Sequence, residues 1–386
     1  MLLSIGDQVR PGTYRFHSRF NRAVNFECRG RLIAVVDEAI GPGPLNIVLR
    51  DLGRASVPAS PNLSGHRENQ GSRGRSPSQM AGLANPPPPL RVTAHTVLFA
   101  GRRYHFTARH RYDSTLDCEV EDLRRFQHNL AALGELLRNA SPPKSLAFLL
   151  ASQRRKNFRA GFERAFAEQI RRGVRQVFHG SLLEGIRQLK GCGLGLTPAG
   201  DDLIAGLLIG LHLLQKLHGQ NFQPAANAVF RAARGDNIFS NAFLDLARRG
   251  LLFGTMKDLL LALVSGSEGS VRKAARKLFG VGASSGADLA TGLFMTVQAE
   301  ECRMWKECRK QKAQESGKDS RELLAGTTGP RTVPVRSGQI CGRTTEAIER
   351  SACARPCCEP GRFAVRSFVC PVVLVVPARY AQGQQK

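Results

Sequence analysis

The hydrophobic period of the chain changes once, near residue 116. Before that point apolar residues sit in short runs or alternate with polar ones. After it they recur every three or four positions. In 13–52 the β-prone runs 23–28 and 31–36 flank Arg29-Gly30, and a two-residue connection of this kind predicts a hairpin. A third candidate strand, 46–49, follows the loop Gly41-Pro42-Gly43-Pro44. A second hairpin is expected from 92–99, the Ala100-Gly101 turn and 104–107. An isolated hairpin is marginal in water, so both are expected in one sheet.

Beyond 116 the spacing of Leu123, Phe126, Leu130, Leu133 and Leu137 predicts an amphipathic helix, as does that of Phe158, Phe162, Phe166 and Ile170. Helical patterns continue through 182–189, 203–214, 242–247 and 259–263. The last begins near Asp288 and carries Leu289, Leu293 and Val297. The fold class is therefore α+β: a β-rich N-terminal portion over 13–115 with two hairpins in one sheet, then a mostly helical body over 116–300. Residues 54–90, rich in Ser, Pro, Gly and Arg and ending in Pro86 to Pro89, are expected to be a disordered or polyproline insertion. Residues 301–386 mix Arg, Cys, Pro and Gly without sustained period and are expected to form a poorly ordered extension.

Composition narrows the function classes. A net charge of +25 invites a nucleic-acid reading. The arginines recur throughout, in pairs such as Arg102-Arg103, Arg124-Arg125 and Arg248-Arg249, and no DNA- or RNA-binding signature accompanies them. They read as solvated helix faces, and nucleic acid is disfavoured as a partner. Seven of the ten cysteines follow residue 300, without the paired spacing of structural zinc sites. The N-terminus lacks the apolar core of a signal peptide, and the strongest apolar run, 203–214, is too short to span a bilayer. A cytoplasmic protein without a membrane partner is expected.

The chemistry concentrates in Gly191-Cys192-Gly193-Leu194-Gly195-Leu196-Thr197-Pro198-Ala199-Gly200-Asp201-Asp202, which leads directly into an apolar helix. The glycines let the backbone turn tightly and approach a ligand, and a loop entering a helix favours an anion there. Thr197 can cap the helix and Pro198 suits its first turn. Asp201 and Asp202 either complement the positive helix end, or one of them meets Mg²⁺ or a substrate N–H donor.

A second segment echoes this one. Gly286-Ala287-Asp288-Leu289-Ala290-Thr291-Gly292-Leu293 matches 200–207 at five of eight positions, pairing Gly200 with Gly286, Asp202 with Asp288 and Gly206 with Gly292. A glycine inside a helix costs roughly 1 kcal/mol against alanine, which points to close helix–helix packing. Two explanations stand open. Either the two helix N-termini face one another and present Asp202 and Asp288 to one pocket, or the repeat is a duplication packed for stability.

The Gly-Leu-Thr-Pro-x-Gly-Asp-Asp element resembles the hallmark of the AllH family, whose usual form is G-x-G-P-G-L-T-P-S-G-D-D. His17-Ser18 with Asn21-Arg22-Ala23, the Gly43-Pro44-x-Asn46-Ile47 loop and Ser285-Gly286-x-Asp288-Leu289 are further similarities. Together they extend from about residue 13 to 300. Leu194 stands where the family has proline and Ala199 where it has serine. The resemblance implies a subunit of oxamate carbamoyltransferase in purine (allantoin) catabolism, working with other carbamoyltransferase subunits on a small anionic substrate, oxalurate or carbamoyl phosphate. Carbamoyl transfer needs a positioned phosphate and stabilised charge on the carbamoyl oxygen. On that chemistry, N–H groups around Gly193, Gly195 and Gly200 are candidates to hold the anion, with Ser18, Asn46, Thr197, Ser285 and Gly286 as further substrate-binding candidates. Asp201, Asp202, Asp288 and His17 are the catalytic candidates, and Asp201 with Asp202 is the candidate Mg²⁺ pair. His17 is the candidate general acid/base, imidazole being the side chain suited to that role, and its alternative is a structural histidine beside Ser18. Arg15, Arg19 and Arg22 can meet a carboxylate or remain solvated. A noncatalytic scaffold subunit is the competing function.

Overall fold

A two-residue hairpin turn of the type that suits strand twist needs positive φ at both residues. Arg29 and Gly30 adopt 51° and 75°, and Ala100 and Gly101 adopt 50° and 75°. The computed structural model describes residues 1–50, 52, 88–120 and 122–300; the expectations for 54–87 and 301–386 lie outside them. The strands are β1 (Leu2–Gly6), β2 (Gly12–Phe20), β3 (Ala23–Cys28), β4 (Arg31–Asp37), β5 (Asn46–Leu49), β6 (Leu90–Val92), β7 (Thr96–Phe99), β8 (Arg102–His105) and β9 (Arg111–Tyr112). They form one sheet in the order β8-β7-β6-β2-β3-β4-β5-β1-β9. Pairing is antiparallel except between β4 and β5 and between β1 and β9.

Alternation buries one face of this sheet around a single core that joins Ile5 of β1, Phe26 of β3, Ile47 of β5 and Val97 and Phe99 of β7. The sheet must curl for residues so distant in strand order to share a core. Phe26 meets Phe16 and Phe99 edge-on within it. Two sequence expectations are corrected here. The β portion starts at residue 2, because β1 is an inner strand between β5 and β9. The run 92–99 is interrupted between β6 and β7, where Thr93 Oγ1 accepts the N–H groups of His95 and Thr96.

The helices are α1 (Leu123–Ala140), α2 (Gly161–His179), α3 (Leu182–Leu189), α4 (Ala199–His218), α5 (Gln223–Ala233), α6 (Ile238–Arg248), α7 (Gly254–Ser265) and α8 (Glu268–Phe279), followed by α9 over 285–300. The Phe158–Ile170 pattern splits. Phe158 precedes α2 and Phe162 is 67% exposed, while Ala167, Ile170, Val174 and Val177 form the buried stripe. Helices α5 and α8 were not foreseen: the buried stripe of α5 is mostly alanine (Ala225, Ala226 and Ala233 beside Val229), and that of α8 sets Val271, Ala274, Ala275, Leu278 and Phe279 among basic residues. Among the described residues no helix is long and apolar enough to cross a membrane.

At the centre lie α4 and α9, each buried on nearly every side. They meet backbone to backbone. A Cβ on Gly206 would stand 2.0 Å from the Leu289 carbonyl oxygen, and one on Gly292 would stand 2.1 Å from that of Leu203. Gly210 in turn faces Thr296, so the two helices run parallel. The reciprocity extends outward. Gly200 abuts the carbonyl of Leu189 at the end of α3, and Gly286 abuts that of Leu278 at the end of α8. Cys192 N–H donates to Leu189 and Gly200 N–H to Cys192, as Val281 N–H donates to Leu278 and Gly286 N–H to Val281. Helix, loop and helix are thus built twice about the crossing. The first loop is three residues longer, 193–199 against 282–285.

Alanine at Gly206 or Gly292 would drive a methyl into backbone that has nowhere to move. Either substitution should lower the unfolding free energy by about 3 kcal/mol, the upper end of ordinary overpacking. Alanine at Gly219, a left-handed helix end with open space around it, should cost only the smaller local strain. Denaturant unfolding of the three variants checks this ranking.

Candidate functional site

The longer loop turns on glycines at positive φ: Gly191 at 69°, Gly193 at 125° and Gly195 at 123°. Gly193 also has no room for a side chain, since a Cβ there would lie 2.6 Å from the Ala199 nitrogen. Asp201 Oδ1 accepts the Gly191 N–H at 2.8 Å and pins the base of the loop. The first turn of α4 satisfies itself: Gly200 N–H donates to Cys192, and Asp201 and Asp202 N–H groups donate to Pro198. The amides of Gly193, Leu194, Gly195, Leu196 and Thr197 have no hydrogen-bond partner among the described residues. The donors open to an anion therefore belong to the loop, and Gly200 serves packing. Leu194, at the loop tip, is 84% exposed.

Asp202 and Asp288 hold equivalent places in the repeat and are both buried, at 2% and 0% exposure. Asp288 is fully engaged. Its Oδ1 accepts the Leu146 N–H and its Oδ2 accepts the Ser284 hydroxyl at 2.8 Å. Burial pushes its pKa up to about 7, against the pull of those two donors. The hydroxyls of Ser285 and Thr197 lie close enough to Asp202 to favour its charged form, while its Oδ2 is buried and has no partner among the described residues. Burial drives its pKa well above the ordinary carboxylate range, the two hydroxyls oppose this, and the negative charges of Asp288 and Asp201 add to it. The structure thus brings Thr197, Asp202, Ser285 and Asp288 together and separates the last as a structural acceptor.

Helix α6 braces the loop. The side chain of Asn237 caps α6 by accepting from the Phe239 and Ser240 N–H groups, and its Nδ2 donates to the Leu196 carbonyl at 2.8 Å. At the other end of α6, Gly250 abuts His212 of α4, so these two helices are also parallel. Phe239 packs edge-on against His17 of β2, ring centroids 4.9 Å apart, and so ties the sheet to the same corner. The His17 Nδ1 is buried and without a partner among the described residues. Neither Asn237 nor Phe239 was singled out by sequence. The turn Gly235-Asp236-Asn237 before an apolar pair carried the signal, a helix N-cap.

The other expected residues make local bonds or are exposed. Ser18 Oγ accepts from Asn25 Nδ2 at 3.0 Å, both buried in the sheet. Asn46 Nδ2 donates to the Gly41 carbonyl and fastens its own loop, whose Pro42 carbonyl accepts the Gly254 N–H at the start of α7. Arg15, Arg19 and Arg22 are exposed. A recess of about 420 Å³ lined by Met1, Tyr104, His105 and His110 shares no residue with the loop. Among the described residues no group of three or more His, Cys, Asp or Glu side chains is placed to hold a metal ion, and Asp201 has already committed one oxygen to Gly191.

These features define an α+β protein whose candidate ligand site is a glycine-rich loop at a buried carboxyl, set on a duplicated helix pair. Residues 189–297 match the model of the family described as oxamate carbamoyltransferase subunit AllH. That stretch contains both loops, α4 and most of α9. The similarities at His17-Ser18 and Asn46 fall outside it. Comparison with curated proteins and with solved structures gives no match.

Asp288 binds its proton more tightly in the folded than in the unfolded chain. Its contribution to stability is therefore full below about pH 4, the ordinary aspartate value, and is lost as the pH rises to about 7. Unfolding free energies of the parent should fall across that window more steeply than those of Asp288→Asn, by at most about 1.4 kcal/mol per pH unit. Parallel pH profiles would show that Asp288 titrates alike in both states.

Proposed function

We propose that the chain is a subunit of a cytoplasmic carbamoyltransferase that interconverts oxalurate plus phosphate with oxamate plus carbamoyl phosphate in allantoin catabolism, beside other subunits of the same enzyme. One observation carries this reading. Within the family-matched segment, five successive loop amides lie next to a buried carboxyl, and neither they nor its Oδ2 has a partner among the described residues. Both substrates are small anions, and preorganised N–H groups favour negative charge where it sits or develops.

In the phosphorolytic direction a phosphate oxygen bonds to the carbamoyl carbon of oxalurate. The C–N bond to oxamate breaks, and the departing nitrogen takes a proton. The loop amides hold the phosphate and the negative carbamoyl oxygen, and Thr197 and Ser285 orient Asp202 beside them. His17 is the proton-handling group of this reading, braced by Phe239 with Nδ1 unpartnered. Mg²⁺, if used, would enter carried by phosphate, since among the described residues no cluster of carboxylates is placed to cage it. A scaffold subunit is the second reading. Asp202→Asn separates the two: lost turnover with intact assembly supports the enzyme, and lost assembly supports the scaffold.

Gly195 provides the direct test, since a Cβ there meets nothing closer than the Thr197 carbonyl at 3.5 Å, and only its φ of 123° resists substitution. Carbamoyl phosphate at about 100 times its dissociation constant should stabilise the full chain by about 2.7 kcal/mol. Gly195→Ala should remove most of that gain, while costing the free chain only about 1–3 kcal/mol of strain. Thermal unfolding with and without ligand measures both. Failure of carbamoyl phosphate and inorganic phosphate alike to stabilise the parent would refute an anion site at this loop.

A further inference from the structure

We propose that Asp202 is the residue that distinguishes a carbamoyl group from other acyl groups, by accepting an N–H of its –NH₂ at Oδ2; this rests on the anion-site reading above. The duplication supplies the template. Asp288 fills the equivalent place, and there the protein provides both donors, the Ser284 hydroxyl and the Leu146 backbone N–H. At Asp202 the hydroxyls of Thr197 and Ser285 are present. The counterpart of the Leu146 N–H is missing, and Oδ2 has no partner among the described residues.

In the charged form of Asp202 an unpaired buried Oδ2 is costly, so this oxygen calls for a donor from outside. Chemistry narrows what that donor is. The open loop backbone beside Asp202 offers N–H groups, which take the anionic end of a ligand and leave its own donors to find an acceptor. A second carboxylate for a metal ion is not at hand, because Asp288 has both oxygens occupied and Asp201 has bonded Gly191. The three extra residues of the first loop, relative to 282–285, are what part this loop from the closed arrangement seen at Asp288. A ligand that joins an anion to a –C(=O)NH₂ group, as carbamoyl phosphate does and a ureido acid does, satisfies both sides at once. Acetyl phosphate has the same anion and carbonyl with a methyl in place of –NH₂, and it leaves Oδ2 orphaned.

Titration of the full chain with carbamoyl phosphate, acetyl phosphate and inorganic phosphate tests the proposal without any variant. Carbamoyl phosphate should bind at least about tenfold more tightly than acetyl phosphate, the effect of leaving one buried acceptor unpaired. Asp202→Ala removes the orphaned oxygen together with its carboxyl, and the two acyl phosphates should then bind within about twofold of each other. Its unfolding temperature confirms that the variant is folded. Equal binding of the two acyl phosphates by the parent would overturn the role of Asp202 and leave the anion site standing. Binding of none of the three would overturn both. Discrimination that persists in a folded Asp202→Ala would assign the selectivity to another group.

Discussion

The contact of α4 with α9 at Gly206 and Gly292 is the constraint from which the rest of the helical body follows. Each glycine lets one helix backbone rest on the carbonyls of the other, closer than side chains would permit. Once the two axes are that close and parallel, their N-termini emerge side by side. Asp202 on one then feels the charge of Asp288 on the other, and Ser285 reaches across to it. Gly200 and Gly286 repeat the device nearly two turns earlier, docking each helix start on the end of the helix before it. The intrahelical glycines give up backbone entropy, roughly 1 kcal/mol each, and the dispersion gained along a fully buried crossing offsets it.

Duplication explains why this arrangement contains two buried carboxylates, and asymmetry explains why they differ. A buried carboxyl is tolerated when donors surround it. At Asp288 the chain provides them, and the result is a structural acceptor that links α9 to the Leu146 backbone. At Asp202 the longer loop leaves one oxygen and five amides without partners among the described residues. The same motif therefore carries a fully bonded carboxyl in one half and, in the other, an exposed loop surface beside a carboxyl with one unpaired oxygen among the described residues. Helix α6 ties that surface down, through Asn237 to the loop and through Phe239 to His17 of the sheet.

The sequence on its own determined the fold class, both hairpin turns and the pairing of Gly-x-Asp-Leu-x-x-Gly-Leu with its echo. These are local in origin. Positive φ at a two-residue turn, a period of two or of 3.6, and glycines that recur in register are all properties of neighbouring residues. Helix α5 escaped because a stripe of alanines buries well and yet gives little hydrophobic signal, and α8 because its apolar positions are interleaved with arginines and lysines. Strand β1 escaped because a short run gains its meaning only from β5 and β9, which lie far along the chain. Asp201 and Asp202 looked interchangeable, as did Asp202 and Asp288. Only the tertiary structure decided that Asp201 latches Gly191, that Asp288 holds Leu146 and that Asp202 Oδ2 has no partner among the described residues. The reason is physical: the partner of a buried polar atom is set by which distant backbone arrives beside it, and the close approach of α4 and α9 fixes that arrival.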